Sequence, residues 1–149
     1  MNSISPTLLK QVALELTGLT TRTSNLAEQD MKTQKIGPLW QQFFAERAPI
    51  LAKGELIYGV YYDYQSDMDG EFSVLAASHV VNECDVTLTA GDYLKFNASG
   101  EIPQCVIALW EEVWRYFSSS ECEYHRCYLT DYEVYLDANR VEIYIGINP

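Results

Sequence analysis

The feature that most constrains the fold is a sequence repeat with a spacing of 70 residues. LWQQFF at 39–44 is matched by LWEEVW at 109–114. The pairs separated by 70 positions are Trp40 and Trp110, Phe44 and Trp114, Tyr58 and Tyr128, and Asp63 and Glu133. Two copies of one supersecondary unit pack most simply as a pseudo-twofold pair, so the repeat predicts two similar halves that meet in a groove.

Each copy is predicted to contain a strand, a helix and a two-stranded hairpin. In the first copy, Gly18 suits a bulge or bend within the strand. Pro38 fits the first turn of the regular helix, with an irregular or helical segment before it. The first-copy segments are 8–22, 26–47 and 58–76, and the second-copy segments are 92–97, 102–117 and 128–147.

The repeat therefore predicts one α+β domain over residues 1–149, with repeat one at about 8–80 and repeat two at about 86–148. We expect curved antiparallel sheets with the helices on one face and a central groove, where equivalent side chains from the two copies converge. Trp40 with Trp110, and Asp63 with Glu133, are such equivalents.

The last segment, YLTDYEVYLDANRVEIYIGI, places an acidic residue among aromatic rings. Side chains alternate between the two faces of a strand, so Glu133 is predicted to share its face with three neighbours. These are Leu129, Asp131 and Tyr135. We expect Tyr144 to lie across from them on the second strand. Strand parity alone favours a surface carboxylate, and a buried binding group is the alternative.

Composition excludes several classes of function. Lys and Arg total 10 against 21 Asp and Glu, and a net charge of -11 repels nucleic-acid phosphates. The chain shows neither a signal-peptide pattern nor the ~20 apolar residues of a membrane-spanning helix. We therefore expect a cytoplasmic protein that binds neither nucleic acid directly nor a membrane. The 11 tyrosines exceed what core packing needs and indicate a binding surface.

No metal or other cofactor is expected. In a reducing compartment the four cysteines are predicted to be free thiols or small core residues. Cys122, His125 and Cys127 lack a second ligand pair at zinc-binding spacing. The sequence also lacks the GxSxG, Walker and GxGxxG motifs.

These motifs together resemble the GyrI-like, or AraC-type, effector-binding domain. The resemblance covers about residues 8–148 and is carried by LW in both helices, YGVYYDY, GDYLKFNASG, and the closing DYEVY and VEIYIGI segments. In drug-sensing members of this family a buried glutamate among aromatic rings receives lipophilic cations, and Glu133 matches that glutamate. We expect no DNA-binding domain, unlike in the regulators, and Asp63 adds a second candidate acid.

The resemblance implies a stand-alone binding module for lipophilic, cationic small molecules, and not an enzyme. The candidate ligand-binding residues are Glu133, Trp110, Tyr135, Tyr144, Tyr61, Trp40 and Asp63. Trp40 and Trp110 could instead belong to the core, and the tyrosines could be ordinary cross-strand partners. Two other functions stay open: a hydrolase with Glu133 as general base beside a tyrosine hydroxyl, and a protein-interaction role such as gyrase inhibition. A protein partner and a homodimer also stay open.

Overall fold

The computed structural model describes residues 6–51, 56–66, 69–78, 84–88, 90–102, 104–119, 122–137 and 139–148, with the backbone alone for 47–51. The strands are β1 Thr7–Gln11, β2 Leu14–Ser24, β3 Ile57–Tyr62, β4 Glu71–Ser78, β5 Val86–Leu88, β6 Gly91–Ser99, β7 His125–Asp137 and β8 Arg140–Asn148. The helices are α1 Asn25–Glu28, α2 Ile36–Leu51 and α3 Gln104–Ser118.

These strands form one antiparallel sheet of mixed α+β architecture, and its order repeats about the centre. The order is β1-β6-β8-β7-β3-β4-β2-β5, so β7 and β3 pair in the middle. The order β2-α2-β3-β4 in the first half recurs as β6-α3-β7-β8 in the second. The predicted fold class and the internal repeat are confirmed.

The two halves exchange their shortest strands. β1, which precedes the first unit, pairs with β6 of the second unit. β5, which precedes the second unit, pairs with the beginning of β2 in the first. Each half therefore completes the outer edge of the other half's sheet.

Three apolar clusters lie on the two faces of the sheet. Helix α3 packs Val106, Leu109 and Val113 onto β6 and β8. Helix α2 packs Leu39 and Phe43 onto β4. The third cluster contains β-strand side chains of the opposite parity, among them Leu16, Val60, Leu75, Tyr132 and Val134. Both helices therefore cover the same face, as predicted.

The pairing of the first segment differs from the single strand predicted over 8–22. The chain forms β1 and then β2, because β1 crosses to β6 while β2 pairs with β5 and β4. Gly18 introduces no register shift in the β2–β4 ladder. Its place requires glycine because an added Cβ would lie 1.9 Å from the carbonyl oxygen of Ala76.

Helix α2 begins at Ile36, which puts Pro38 in its first turn as predicted. The short α1 precedes it and is capped by Ser24, whose hydroxyl accepts a hydrogen bond from the Ala27 N–H. Glu28 then accepts hydrogen bonds from the backbone N–H groups of Lys35 and Ile36. Its carboxylate thereby satisfies free donors at the start of α2.

Candidate ligand-binding site

Glu133 lies on the central strand β7, buried beneath the face that both helices cover. Its side chain accepts three hydrogen bonds: from Trp110 Nε1 at 2.6 Å, from the Tyr135 hydroxyl at 2.7 Å, and from the Tyr61 hydroxyl at 3.1 Å. Glu133 is only 3% exposed. In the part of the chain that the structure describes, none of its partners is a Lys or Arg. The carboxylate is therefore held by neutral aromatic donors alone.

Opposing effects act on the pKa of Glu133. Burial raises the pKa by disfavouring the charged carboxylate, whereas the hydrogen bonds from Trp110, Tyr135 and Tyr61 lower it. Burial outweighs them, so the net shift is upward. The same environment raises the pKa of Tyr61 well above its ordinary value, through burial and the nearby Glu133 charge. Tyr61 therefore remains a hydrogen-bond donor at neutral pH.

A glycine on the neighbouring strand makes room for this carboxylate. Gly59 of β3 is the direct partner of Glu133 in the ladder. A Cβ added at Gly59 would lie 2.7 Å from Glu133 Oε1 and 3.0 Å from Trp40 Cζ2. Trp40 also meets the Tyr135 ring edge-on, with 5.9 Å between ring centroids. The structure therefore brings Trp40 and Trp110, from equivalent positions of α2 and α3, to the surroundings of one acid.

A cavity of about 910 Å³ opens on the α3 side of this cluster. This volume falls within the range of small-molecule sites. Its walls come from the α1 region, the β3–β4 hairpin, α3 and the start of β7: Asn25, Glu28, Gln29, Ile36, Tyr61, Tyr64, Phe72, Ile107, Trp110, Trp114, Phe117, Ser118, His125, Arg126 and Tyr128. Tyr61 and Trp110 line the cavity and also bind Glu133, so the carboxylate lies directly behind that wall.

A second buried carboxylate, Asp131, lies two residues before Glu133 and is fully paired. It accepts hydrogen bonds from the Tyr64 hydroxyl at 2.5 Å, from Arg126 at 2.6 Å, and from the Gly146 N–H at 3.0 Å. Burial lowers the pKa of Arg126, but Asp131 and Tyr64 raise it by more, so the guanidinium stays charged. The charges of Asp131 and Arg126 cancel locally, whereas the charge of Glu133 has no such counterion.

The prediction that Tyr144 faces Glu133 is wrong. Residue 143, an isoleucine, is the ladder partner of Glu133, and Tyr144 pairs with Tyr132 on the opposite face of the sheet. The two tyrosine rings stack there with centroids 4.6 Å apart, and Tyr144 donates a hydrogen bond to Glu142. The alternation from Asp131 to Tyr135 was predicted correctly, but the register across the hairpin was misplaced by one residue.

Asp63 also lies away from the cavity. It follows β3 with a φ of 53°, its side chain is 77% exposed, and it forms an ion pair with Arg22 at 3.5 Å. Leu129, predicted to share the face of Glu133, is 59% exposed, whereas Glu133 is buried. A register irregularity between Arg126 and Asp131 interrupts the alternation there.

The comparisons with known proteins agree with this architecture. The sequence model of Cass2, an integron-associated effector-binding protein family, matches residues 11–147. The chain belongs to the Cass2 family. A solved Cass2 protein from the mobile metagenome of Vibrio cholerae, the integron cassette protein VCH_CASS2, is 39% identical, with a TM-score of 0.88 over 96% of this chain and 95% of that one. No curated protein sequence matches the chain.

Two more distant structures share the Cass2 fold at 21% identity. SAV2435, solved bound to tetraphenylphosphonium, has a TM-score of 0.73 over 97% of this chain and 94% of that one. A protein from Staphylococcus aureus MU50 has a TM-score of 0.77, with coverages of 98% and 99%.

Three further findings on this Cass2-family chain concern metal ligands, cysteines and membrane-spanning helices. Among the described residues, no group of three or more His, Cys, Asp and Glu side chains could hold a metal ion. The four cysteines are free thiols. No helix in the described ranges is long and apolar enough to cross a membrane.

Several cavity residues were missed by the sequence analysis. Glu28, Phe72 and Trp114 line the cavity although no prediction included them. The sequence contained a signal for Trp114, because this residue follows Trp110 by one helical turn and matches Phe44 in the repeat. The sequence contained no such signal for Glu28, because its position depends on how α1 folds back before α2.

Proposed function

We propose that this protein binds lipophilic organic cations in the cavity beside Trp110 and Tyr61, as a non-enzymatic sensor or sequestering protein. The observation that carries the proposal is Glu133, a buried carboxylate whose described partners are all neutral. A cation at the cavity wall would supply the missing counterion. The nearby aromatic rings would add cation–π and dispersion attraction of about 0.5 to 2 kcal/mol each.

The shape of the site supports broad rather than narrow ligand specificity. Tyr61, Trp110 and Trp114 offer flat apolar surface, which adapts to many aromatic ligands. The tetraphenylphosphonium bound by SAV2435, a protein of the same fold, has this chemistry. A site that recognises a positive charge and flat aromatic rings, with few polar contacts, binds a class of compounds and not one molecule.

The same geometry argues against the hydrolase. A general base must reach the proton of a water or substrate within hydrogen-bond distance. Both oxygens of Glu133 already accept hydrogen bonds from side chains, and the group lies behind the cavity wall. The arrangement suits electrostatic attraction better than proton transfer.

Comparing the binding of a cation with that of a neutral compound of similar structure tests the proposal. Isothermal titration calorimetry with tetraphenylphosphonium and with neutral triphenylphosphine oxide should show binding of the cation and at least about tenfold weaker binding of the neutral compound. Glu133→Gln should weaken cation binding by a similar factor. Asp63→Asn removes an acid of the same repeat position at the surface, and should leave the affinity unchanged.

Equal affinity of the cation and the neutral compound would overturn the proposal, as would unchanged cation binding in Glu133→Gln. Circular dichroism of each variant establishes that a loss of binding does not reflect a loss of fold.

A further inference from the structure

The cavity wall contains a buried hydrogen-bond donor that the proposed function does not use. Arg126 lines the cavity, and its side chain is only 8% exposed. Its terminal nitrogen Nη2 pairs with Asp131. Its Nε, which is also buried, has no hydrogen-bond partner among the described residues. A buried N–H without an acceptor is unfavourable, because it has lost its bonds to water and gained none.

The surroundings of Arg126 do not offer the missing acceptor. The Oδ2 atom of Asp131 already accepts from Tyr64 and Arg126, and its Oδ1 atom accepts from the Gly146 N–H. The ring of Tyr128 lies against the guanidinium, with 4.5 Å from Cζ to the ring centroid. Tyr128 also lines the cavity, so its ring and the Arg126 side chain form one part of the wall.

We propose that the Arg126 end of the cavity is a subsite for a carbonyl oxygen, so that the preferred ligands are aromatic cations carrying an ester, amide or ketone group. This inference rests on the proposed function and specifies its ligand class. The cationic part lies against Tyr61 and Trp110 in front of Glu133. The carbonyl oxygen takes the place of the Tyr128 ring beside the guanidinium and accepts the hydrogen bond from Arg126 Nε, which is buried before the ligand binds.

The charges around the subsite favour a neutral acceptor over a carboxylate. Arg126 and Asp131 form a neutral pair, so the guanidinium has little net charge to offer a second anion. Glu28 lines the same cavity, and Glu133 lies behind its wall. A ligand carboxylate would be repelled by both of these acids, whereas a carbonyl would not.

Three dyes with one cationic xanthylium core separate these possibilities. Tetramethylrhodamine methyl ester carries an ester on its phenyl ring, tetramethylrosamine lacks the group, and tetramethylrhodamine has the free carboxylate. Fluorescence anisotropy with the full chain should show the ester binding about five- to tenfold more tightly than the rosamine, which is the contribution expected of one well-formed hydrogen bond. The carboxylate dye should bind more weakly than the ester.

Arg126→Lys is the matching variant, because lysine keeps the positive charge beside Asp131 and lacks the Nε–H donor. In this variant the ester and the rosamine should bind equally. Nitrogen-15 spectra of arginine-labelled parent protein give a readout that does not need the variant to fold. The Nε–H resonance of one buried arginine should shift with the ester dye and stay in place with the rosamine.

The subsite is overturned if the parent binds the ester and the rosamine equally, if the ester preference survives in Arg126→Lys, or if no arginine Nε–H resonance responds to the ester. If the ester and the rosamine bind equally to the parent and both bind weakly to Glu133→Gln, the cation site is supported and only the subsite is wrong. Failure of every dye and of tetraphenylphosphonium to bind removes the proposed function as well.

Discussion

At the scale of single residues, the protonation state of Glu133 depends on two opposing effects, burial and hydrogen bonding. Three neutral donors stabilise its charge, yet burial still raises its pKa. In the folded protein without ligand, protonation of Glu133 is therefore easier than in the unfolded chain. Its contribution to stability is greatest below its unfolded pKa and is lost as the pH rises through the folded value. A bound cation favours the charged carboxylate and therefore lowers the pKa of Glu133 again.

The affinity for cations should therefore fall in acid. Below the pKa of Glu133 in the ligand-free protein, binding must first remove a proton, and the dissociation constant of tetraphenylphosphonium should rise by up to about tenfold per pH unit. Calorimetric titrations from about pH 8 down to about pH 5 measure this change. Glu133→Gln, which cannot titrate, should show a flat profile. The same affinity at both ends of the range in the parent protein would contradict the prediction.

Two tyrosines that the sequence placed together can now be separated by experiment. Tyr61→Phe keeps the ring at the cavity wall and removes one donor to Glu133, so cation binding should weaken by about two- to tenfold. Tyr144→Phe removes a hydroxyl that bonds Glu142 on the far face, and should leave binding unchanged. Calorimetry on both variants makes the comparison. If Tyr144→Phe has the larger effect, the assignment of faces is wrong.

The sequence predicted the members of the site better than their arrangement. Trp40, Trp110 and Glu133 follow from the repeat and from the family resemblance, and the structure brings them together. Tyr144 was misplaced because residue parity along a strand is local, whereas register between strands depends on the turn and its irregularities. The pairing of Arg126 with Asp131 spans such an irregularity, so no count of residues could predict it.

At the scale of secondary-structure elements, close approach between strands decides where glycine is required. Gly59 faces Glu133 and Trp40, whereas Gly37 of α2 has nothing within 4 Å of an added Cβ. The central β3–β7 pair can therefore hold a carboxylate only because its partner strand has no side chain at that point. The helices were predicted closely because their apolar periodicity is strong, and β1 was not separated from β2 because a change of pairing partner leaves no sequence periodicity behind.

Gly59→Ala should disturb the site itself. The new methyl group overlaps Glu133 Oε1, so we expect destabilisation of about 1–3 kcal/mol together with weaker cation binding. Gly37→Ala, at an open position in the first turn of α2, should be neutral or stabilising by up to about 1 kcal/mol. Urea unfolding of both variants measures the free energies. Normal stability and binding in Gly59→Ala would show that Glu133 is less confined than its contacts indicate.

At the scale of the whole molecule, the exchanged strands β1 and β5 bind the two halves to each other. The central β3–β7 ladder adds a third connection. Folding of one half would leave its outer edge strand unpaired and the centre of the sheet open. The topology was predictable as a duplication, but the exchange was not, since neither short strand contains enough residues to show which partner it pairs with.

The two halves should therefore unfold in one transition. Trp40 reports on the first half, and Trp110 with Trp114 reports on the second. A Trp40→Phe variant and a Trp110→Phe, Trp114→Phe double variant isolate the two signals. Urea midpoints from fluorescence and from circular dichroism should coincide within each variant. Two separated midpoints would mean that the halves are independent units.

The exchange of β1 and β5 also bears on what half of the chain could form. A half-length polypeptide of this topology would expose edges that only a second copy could cover, so its stable form would be a symmetric dimer. In one chain, equivalent positions of the two halves are free to differ. Glu133 lies buried among rings, whereas Asp63, the residue 70 positions before it in the sequence, lies at the surface with Arg22. A single chain of two similar halves can therefore carry one buried acid, whereas a dimer of identical halves carries every acid twice.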